Sequence, residues 1–138
     1  MTDLAKAFEP KEGWWTETIA GRPWFTDGQV MFEGEQQTSR PPLSKGSMAK
    51  VYKKITAARL TRLGRVRHGL TGYSTCEIAT STFANGPRIQ RVYFDYAKSL
   101  GAEFFAGAQC GESKRDRYVI CKAKGKIIGI IMPVRYTD

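Results

Sequence analysis

The chain has 138 residues, 41% of them apolar, with 22 lysines and arginines against 13 carboxylates, a net charge of +9. That length suits one domain of ordinary size, with enough apolar residues to fill a core without disulfides or metal. No uninterrupted apolar run, Ile130 to Met132 before Pro133 included, approaches the roughly 20 residues a membrane helix requires, and MTDLAKAFEP lacks the charged-then-apolar order of a secretory leader.

In chain order, Thr2 or Asp3 can cap a short helix over LAKAF, which Pro10 ends. Turn signals at Ala20-Gly21 and Asp27-Gly28 divide GWWTETIAGRPWFTDGQVMFEGE into three runs rich in Trp, Phe, Thr and Val, which predicts a three-stranded meander. QQTSRPP is a loop, because Pro41 and Pro42 remove donors and disfavour helix before them. From Ser47, the apolar positions Met48, Val51, Tyr52, Ile55 and Ala58 recur at helical spacing and leave Lys50, Lys53 and Lys54 on the other side. An amphipathic helix with a basic face is predicted, ending near Leu63 with Gly64 as its cap. YSTCEIATSTF reads as a strand and ANGP as a turn. Beyond them RIQRVYF reads as a strand, FDYAKSL as a short helix closed by Gly101, and EFFAGAQC, RYVICKA and KIIGIIM as strands, the last two joined at Lys124-Gly125.

The two ends of the chain can be set side by side: LAKAF (4–8) against YAKSL (96–100), and GWWTETIAG (13–21) against EFFAGAQCG (103–111). A helix followed by three antiparallel strands would then occur twice. The expected class is α+β, with antiparallel sheet and helices on one face. Residues 1–35 form an αβββ unit, 36–87 a basic helix and connecting segment, and 88–138 a βαβββ unit.

The terminal KGKIIGIIMPVR, the hairpin WFTDGQVMF and the helix FDYAKSLGAE placed before three strands resemble the bacterial DNA polymerase sliding clamp. Domains of that family are each built from two β-α-β-β-β units. The resemblance covers about 88–135 and 22–33, and the basic middle third has no counterpart. It implies that Met132, Pro133, Val134 and Arg135 contribute to a pocket for partner peptides, and that a ring would need several copies of so short a chain. Homo-oligomerisation is therefore an expectation of the resemblance. Read from the residues alone, Pro133 simply ends a strand, as proline does at sheet edges.

Charge is the other strong signal. Between Glu35 and Glu77 lie nine basic residues, Arg40, Lys45, Lys50, Lys53, Lys54, Arg59, Arg62, Arg65 and Arg67, and no acid. Taking these nine from 22 leaves 13, equal to the 13 acids, so the whole net charge belongs to one segment. A focused positive field draws phosphates and releases their counterions. DNA or RNA, or a nucleoprotein complex, is the expected partner, met by these nine residues and His68. An acidic protein surface is the alternative, as for small phage or mobile-element inhibitors of host defence nucleases, of which anti-CRISPR proteins are examples.

Chemistry finds few footholds. There is no Gly-rich phosphate loop ending in Lys-Ser/Thr, no G-x-S-x-G, no H-E-x-x-H and no clustered acidic pair. Cys76, Cys110 and Cys121 show no C-x-x-C spacing and His68 is the lone histidine, so neither a zinc site nor any other cofactor is expected. The one enzymatic alternative is a metal-independent ribonuclease, with His68 or Tyr73 as acid or base and Arg62, Arg65 and Arg67 stabilising the phosphorane. A non-catalytic cytoplasmic protein is the primary expectation. Finally, Trp14 and Trp15 are neighbours on a predicted strand, so they face opposite sides. One of them must be covered by the basic helix, a second protomer or a stacked base.

Overall fold

The computed structural model describes residues 14–34, 47–56, 59–73, 76–84, 86–109 and 117–134. Its strands are β1 (Trp15–Ile19), β2 (Arg22–Thr26), β3 (Val30–Glu33), β4 (Thr61–Arg62), β5 (Val66–Tyr73), β6 (Cys76–Phe83), β7 (Arg88–Gln90), β8 (Glu103–Gln109), β9 (Arg117–Ala123) and β10 (Lys126–Ile131). Its helices are α1 (Ser47–Thr56) and α2 (Arg91–Ser99). The class is α+β with antiparallel pairing throughout the described sheets. The helix expected over LAKAF lies outside the described residues.

Tight turns build the sheets. Ala20 and Gly21 both have positive φ (53° and 75°), as do Lys124 and Gly125 (52° and 79°). Paired positive φ values give the hairpin turn whose twist matches that of its strands. The predicted meander β1-β2-β3 and the run β8-β9-β10 follow, and they meet at β3 and β10, where Phe32 pairs with Gly129 and Met31 with Ile130. The order is β1-β2-β3-β10-β9-β8-β4, which over its first six strands reads alike from both ends. A Cβ on Gly129 would lie 2.5 Å from two ring carbons of Phe32, so only glycine lets that ring cross the centre of the sheet. A second sheet has the order β5-β6-β7.

Alternation sends consecutive side chains to opposite faces of the seven-stranded sheet. Trp24, Met31, Ile120 and Ile130 point one way, into a cluster closed by Met48 and Ile55 of α1. Phe25, Phe32, Cys121 and Ile131 point the other way, into a cluster with Phe94, Tyr96 and Ala97 of α2 and Phe83 and Ile89 of the small sheet. The helices thus divide between the two faces instead of sharing one, because both faces of this sheet are apolar. Trp14 and Trp15 part as expected: Trp14 joins the α2 side, and Trp15, 5% exposed, is covered on the α1 side.

The α2 boundary corrects another expectation. RIQRVYF is a strand only as far as Gln90, and the helix begins at Arg91. Three residues suffice to pair with Thr80–Thr82, and helical geometry then places Phe94 against Phe104, ring centroids 4.9 Å apart, and Tyr96 edge-on to Phe32 at 4.8 Å. Such aromatic packing outweighs the β propensity of Val92, Tyr93 and Phe94, a matter of tenths of a kcal/mol per residue.

Burial raises the Tyr93 and Tyr96 hydroxyls above their ordinary 10.0 and the Cys121 thiol above 9.0, and the Asp27 carboxylate adds to the rise at Tyr93. With folded values above unfolded ones, these groups contribute stability that is intact below about pH 9 and lost as alkali ionises the unfolded chain first. The urea midpoint is expected to hold from about pH 7 to about pH 9 and to fall by about pH 11. A midpoint that is unchanged or higher in strong alkali would contradict these buried positions.

Candidate nucleic-acid interface

The basic segment begins on α1. Met48 and Ile55 are buried and Val51 and Tyr52 half-buried, so one apolar stripe docks on the sheet and Lys50, Lys53 and Lys54 are left exposed. Lys53 and Lys54 occupy the last turn, where their charge complements the helix dipole. Arg22 fastens the docked side, bonding Glu33, the Tyr52 hydroxyl at 3.3 Å and the Ile127 carbonyl at 3.2 Å.

The helix does not run to Leu63, as its spacing suggested; it ends at Thr56. Leu60 packs into the α1-side cluster and Leu63 into the α2-side cluster. Residues three apart on a helix share a face, so no continuous helix could place these two leucines in opposite cores. Instead Thr61 and Arg62 form β4, paired with Ala106 and Phe105, and Leu63 N–H donates to the Phe104 carbonyl at 2.9 Å. The chain rounds the edge of the large sheet there and enters the small one. VRHGLTGY becomes β5, an eight-residue strand that its two glycines and basic residues had disguised.

The cations are therefore spread over three elements. Lys50, Lys53 and Lys54 sit on α1. Arg59 is exposed just before β4, and Arg62 on β4 pairs with Glu103 at 3.2 Å. Arg65 and Arg67 lie on the far side of the large sheet from α1, where together with Thr82 and Ala84 they line a cleft of about 450 Å³. Arg88 shares their face: it stands opposite Thr82 and donates to the Thr82 and Thr71 hydroxyls at 3.0 and 2.9 Å. Its contribution was not foreseen, and the alternation of Thr71, Thr80 and Thr82 along two paired strands was the available sign. Arg40 and Lys45 lie outside the described residues.

His68 turns the other way. Its Nδ1 lies 2.8 Å from the Ser81 hydroxyl and its ring packs edge-on to Phe94 at 5.2 Å. Of the set expected of a ribonuclease, Arg67 on β5 and Arg65 just before it take one side and His68 the opposite one, Arg62 belongs to the other sheet, and the side chain of Tyr73, at the end of β5, lies outside the described ones. General acid and charge stabiliser must reach the same phosphate.

The run suggested as a peptide pocket leaves β10 and bridges the two sheets. Met132 N–H donates to the Gln29 carbonyl at 2.8 Å and Val134 N–H to the Arg88 carbonyl at 2.7 Å. Met132 is exposed, Pro133 and Val134 half-buried, and Arg135 lies outside the described residues. No helix among the described residues is long and apolar enough to cross a membrane. Comparison with family models, with curated proteins and with solved structures finds no match to this chain.

Proposed function

We propose that this protein is a non-catalytic nucleic-acid-binding protein that engages DNA or RNA, alone or in a nucleoprotein complex, through the exposed cations between Arg40 and His68. One observation carries the reading: Lys50, Lys53, Arg59, Arg65 and Arg67 are exposed and have no carboxylate partner among the described residues. Free surface cations on a chain of charge +9 concentrate polyanions and exchange the counterions of phosphates for themselves. Arg62 remains available too, since an ion pair this open contributes little. The separation of His68 from Arg65 and Arg67 counts against the histidine form of the ribonuclease alternative. A cytoplasmic protein of phage or mobile-element origin suits such a role.

Salt is the direct test. With about four to six phosphate contacts, log K on duplex should fall by about 0.9 per contact for each decade of salt. Fluorescence anisotropy with labelled duplex and single-stranded probes across a salt series reads this slope. A flat dependence would refute phosphate binding and leave the acidic-surface alternative, in which the same cations meet a nuclease complex by protein contact. Recovery of one protein partner from lysate after nuclease digestion would point the same way.

A further inference from the structure

The exposed cations point in two directions. Lys50, Lys53 and Lys54 lie on the side of α1 that faces away from the cluster of Trp24, Met31 and Ile120. Arg67 stands opposite Thr82 and Arg65 precedes it by two residues, while Val66 and Phe83 between them turn inward to the other cluster, with Phe94 and Phe104. The arginines therefore face away from that second core. Packed layers lie about 10 Å apart, so roughly 20 Å of protein, the large sheet and the small one, separates the lysines from the arginines. Where the chain passes from one side to the other, Arg62 pairs with Glu103, whose exposed carboxylate repels a phosphate backbone crossing that edge.

Resting on the nucleic-acid reading above, we infer that one chain holds two duplex segments at once, one against the α1 lysines and one against Arg65 and Arg67, and so bridges them. Stiffness carries the step. A duplex bends smoothly only over about 150 base pairs, so a segment lying on α1 cannot turn around a body this thick to reach the arginines as well. A single strand could make that turn, and it would gain by stacking its bases on aromatic rings. Trp14, Trp15 and Trp24, the rings best suited to stacking, are buried in the two cores. Charge is what the two surfaces present, and duplex carries phosphate most densely. Lys50, Lys53 and Lys54 fall within about 6 Å along the axis of one rigid helix. Arg65 and Arg67, on alternate positions of an extended chain, sit about 7 Å apart, with Thr82 beside them in the cleft. With two cations against three, the arginine site is the weaker and fills only at low salt.

Native mass spectrometry of the full chain with a DNA duplex of about 15 base pairs, roughly one and a half turns, counts the bound duplexes at about 50 mM salt. One chain carrying two duplexes is expected. In a parallel measurement, a fluorescent duplex is expected to be retained by beads that carry an unrelated duplex only when the protein is present. Arg65→Glu with Arg67→Glu is expected to stop the count at one and to cut retention at least about tenfold. Lys50→Glu, Lys53→Glu and Lys54→Glu together are expected to remove the other duplex and retention with it. Urea midpoints show whether each variant is folded; if the arginine reversal is not, Arg65→Ala with Arg67→Ala takes its place. Failure of any duplex to bind at this salt refutes the nucleic-acid reading itself, and the bridge with it. Binding that stops at one duplex per chain overturns the bridge alone. So does retention that survives replacement of both arginines, a bridge that contains two chains, or tighter binding of a single strand of the same length.

Discussion

A chain carrying Lys50→Glu, Lys53→Glu and Lys54→Glu is expected to lose nucleic-acid binding at physiological salt while remaining folded. Three reversals move the charge by six units, from +9 to +3, and all of them fall on the exposed side of α1. Each lost phosphate contact removes a counterion-release contribution, and each new carboxylate repels the strand that the lysine attracted. Folding should feel little, since exposed substitutions generally change stability by less than about 0.5 kcal/mol. Two of these lie in the last helical turn, where a carboxylate opposes the dipole, so a total cost of about 1 to 2 kcal/mol is anticipated. Anisotropy and urea unfolding on the same preparation separate the two effects. A variant that binds like its parent, or one that unfolds, would show that α1 does not present its lysines to the partner.

Trp24→Ala is expected to be the most damaging single truncation on the α1 side, costing about 3 to 5 kcal/mol. The indole has no exposed surface, donates from Nε1 to the Ile19 carbonyl at 3.2 Å and lies 5.6 Å from the Tyr52 ring. Arg22 also rests over it, 4.9 Å from the ring centroid. Its removal leaves a cavity where β2 meets α1 and takes one hydrogen bond from the Ile19 carbonyl. Trp24→Phe keeps most of the volume and loses the bond, so its cost should be nearer about 1 to 2 kcal/mol, roughly that of one hydrogen bond and a small loss of packing. Equal effects of the two substitutions in urea titrations would show that the hydrogen bond, and not the filled volume, holds α1 in place.

The hairpins were legible because their chemistry is local. Asp27-Gly28 and Lys124-Gly125 announce turns whatever surrounds them, and WWTETI, RYVICKA and KIIGIIM hold the residues that a pleated, buried strand selects. The face of α1 was legible for the same reason, since its apolar spacing repeats within ten residues. What escaped depends on distant partners. Leu60 and Leu63 are three apart, a helical signal, yet the sheet edge between two cores requires them on opposite sides. VRHGLTGY holds two glycines and no alternation of its own; its strand exists because CEIATSTF lies alongside. The scatter of the cations follows from this. Charge density along the chain was plain, but its division between α1, β4 and β5 depended on where the helix stopped.

The pairing of β3 with β10 sets an order of events. Roughly 100 residues separate Met31 from its partner Ile130, so the middle of the large sheet is a late, long-range closure whose entropic cost precedes its reward. During synthesis, the strand carrying Val30, Met31 and Phe32 leaves the ribosome with one apolar edge unpaired and stays so until the last hairpin emerges. That interval is when the nascent chain is most exposed to misassociation, and folding should be slow for a chain of this size. The strands on either side of this seam stand to gain stability only together, as the final step of folding.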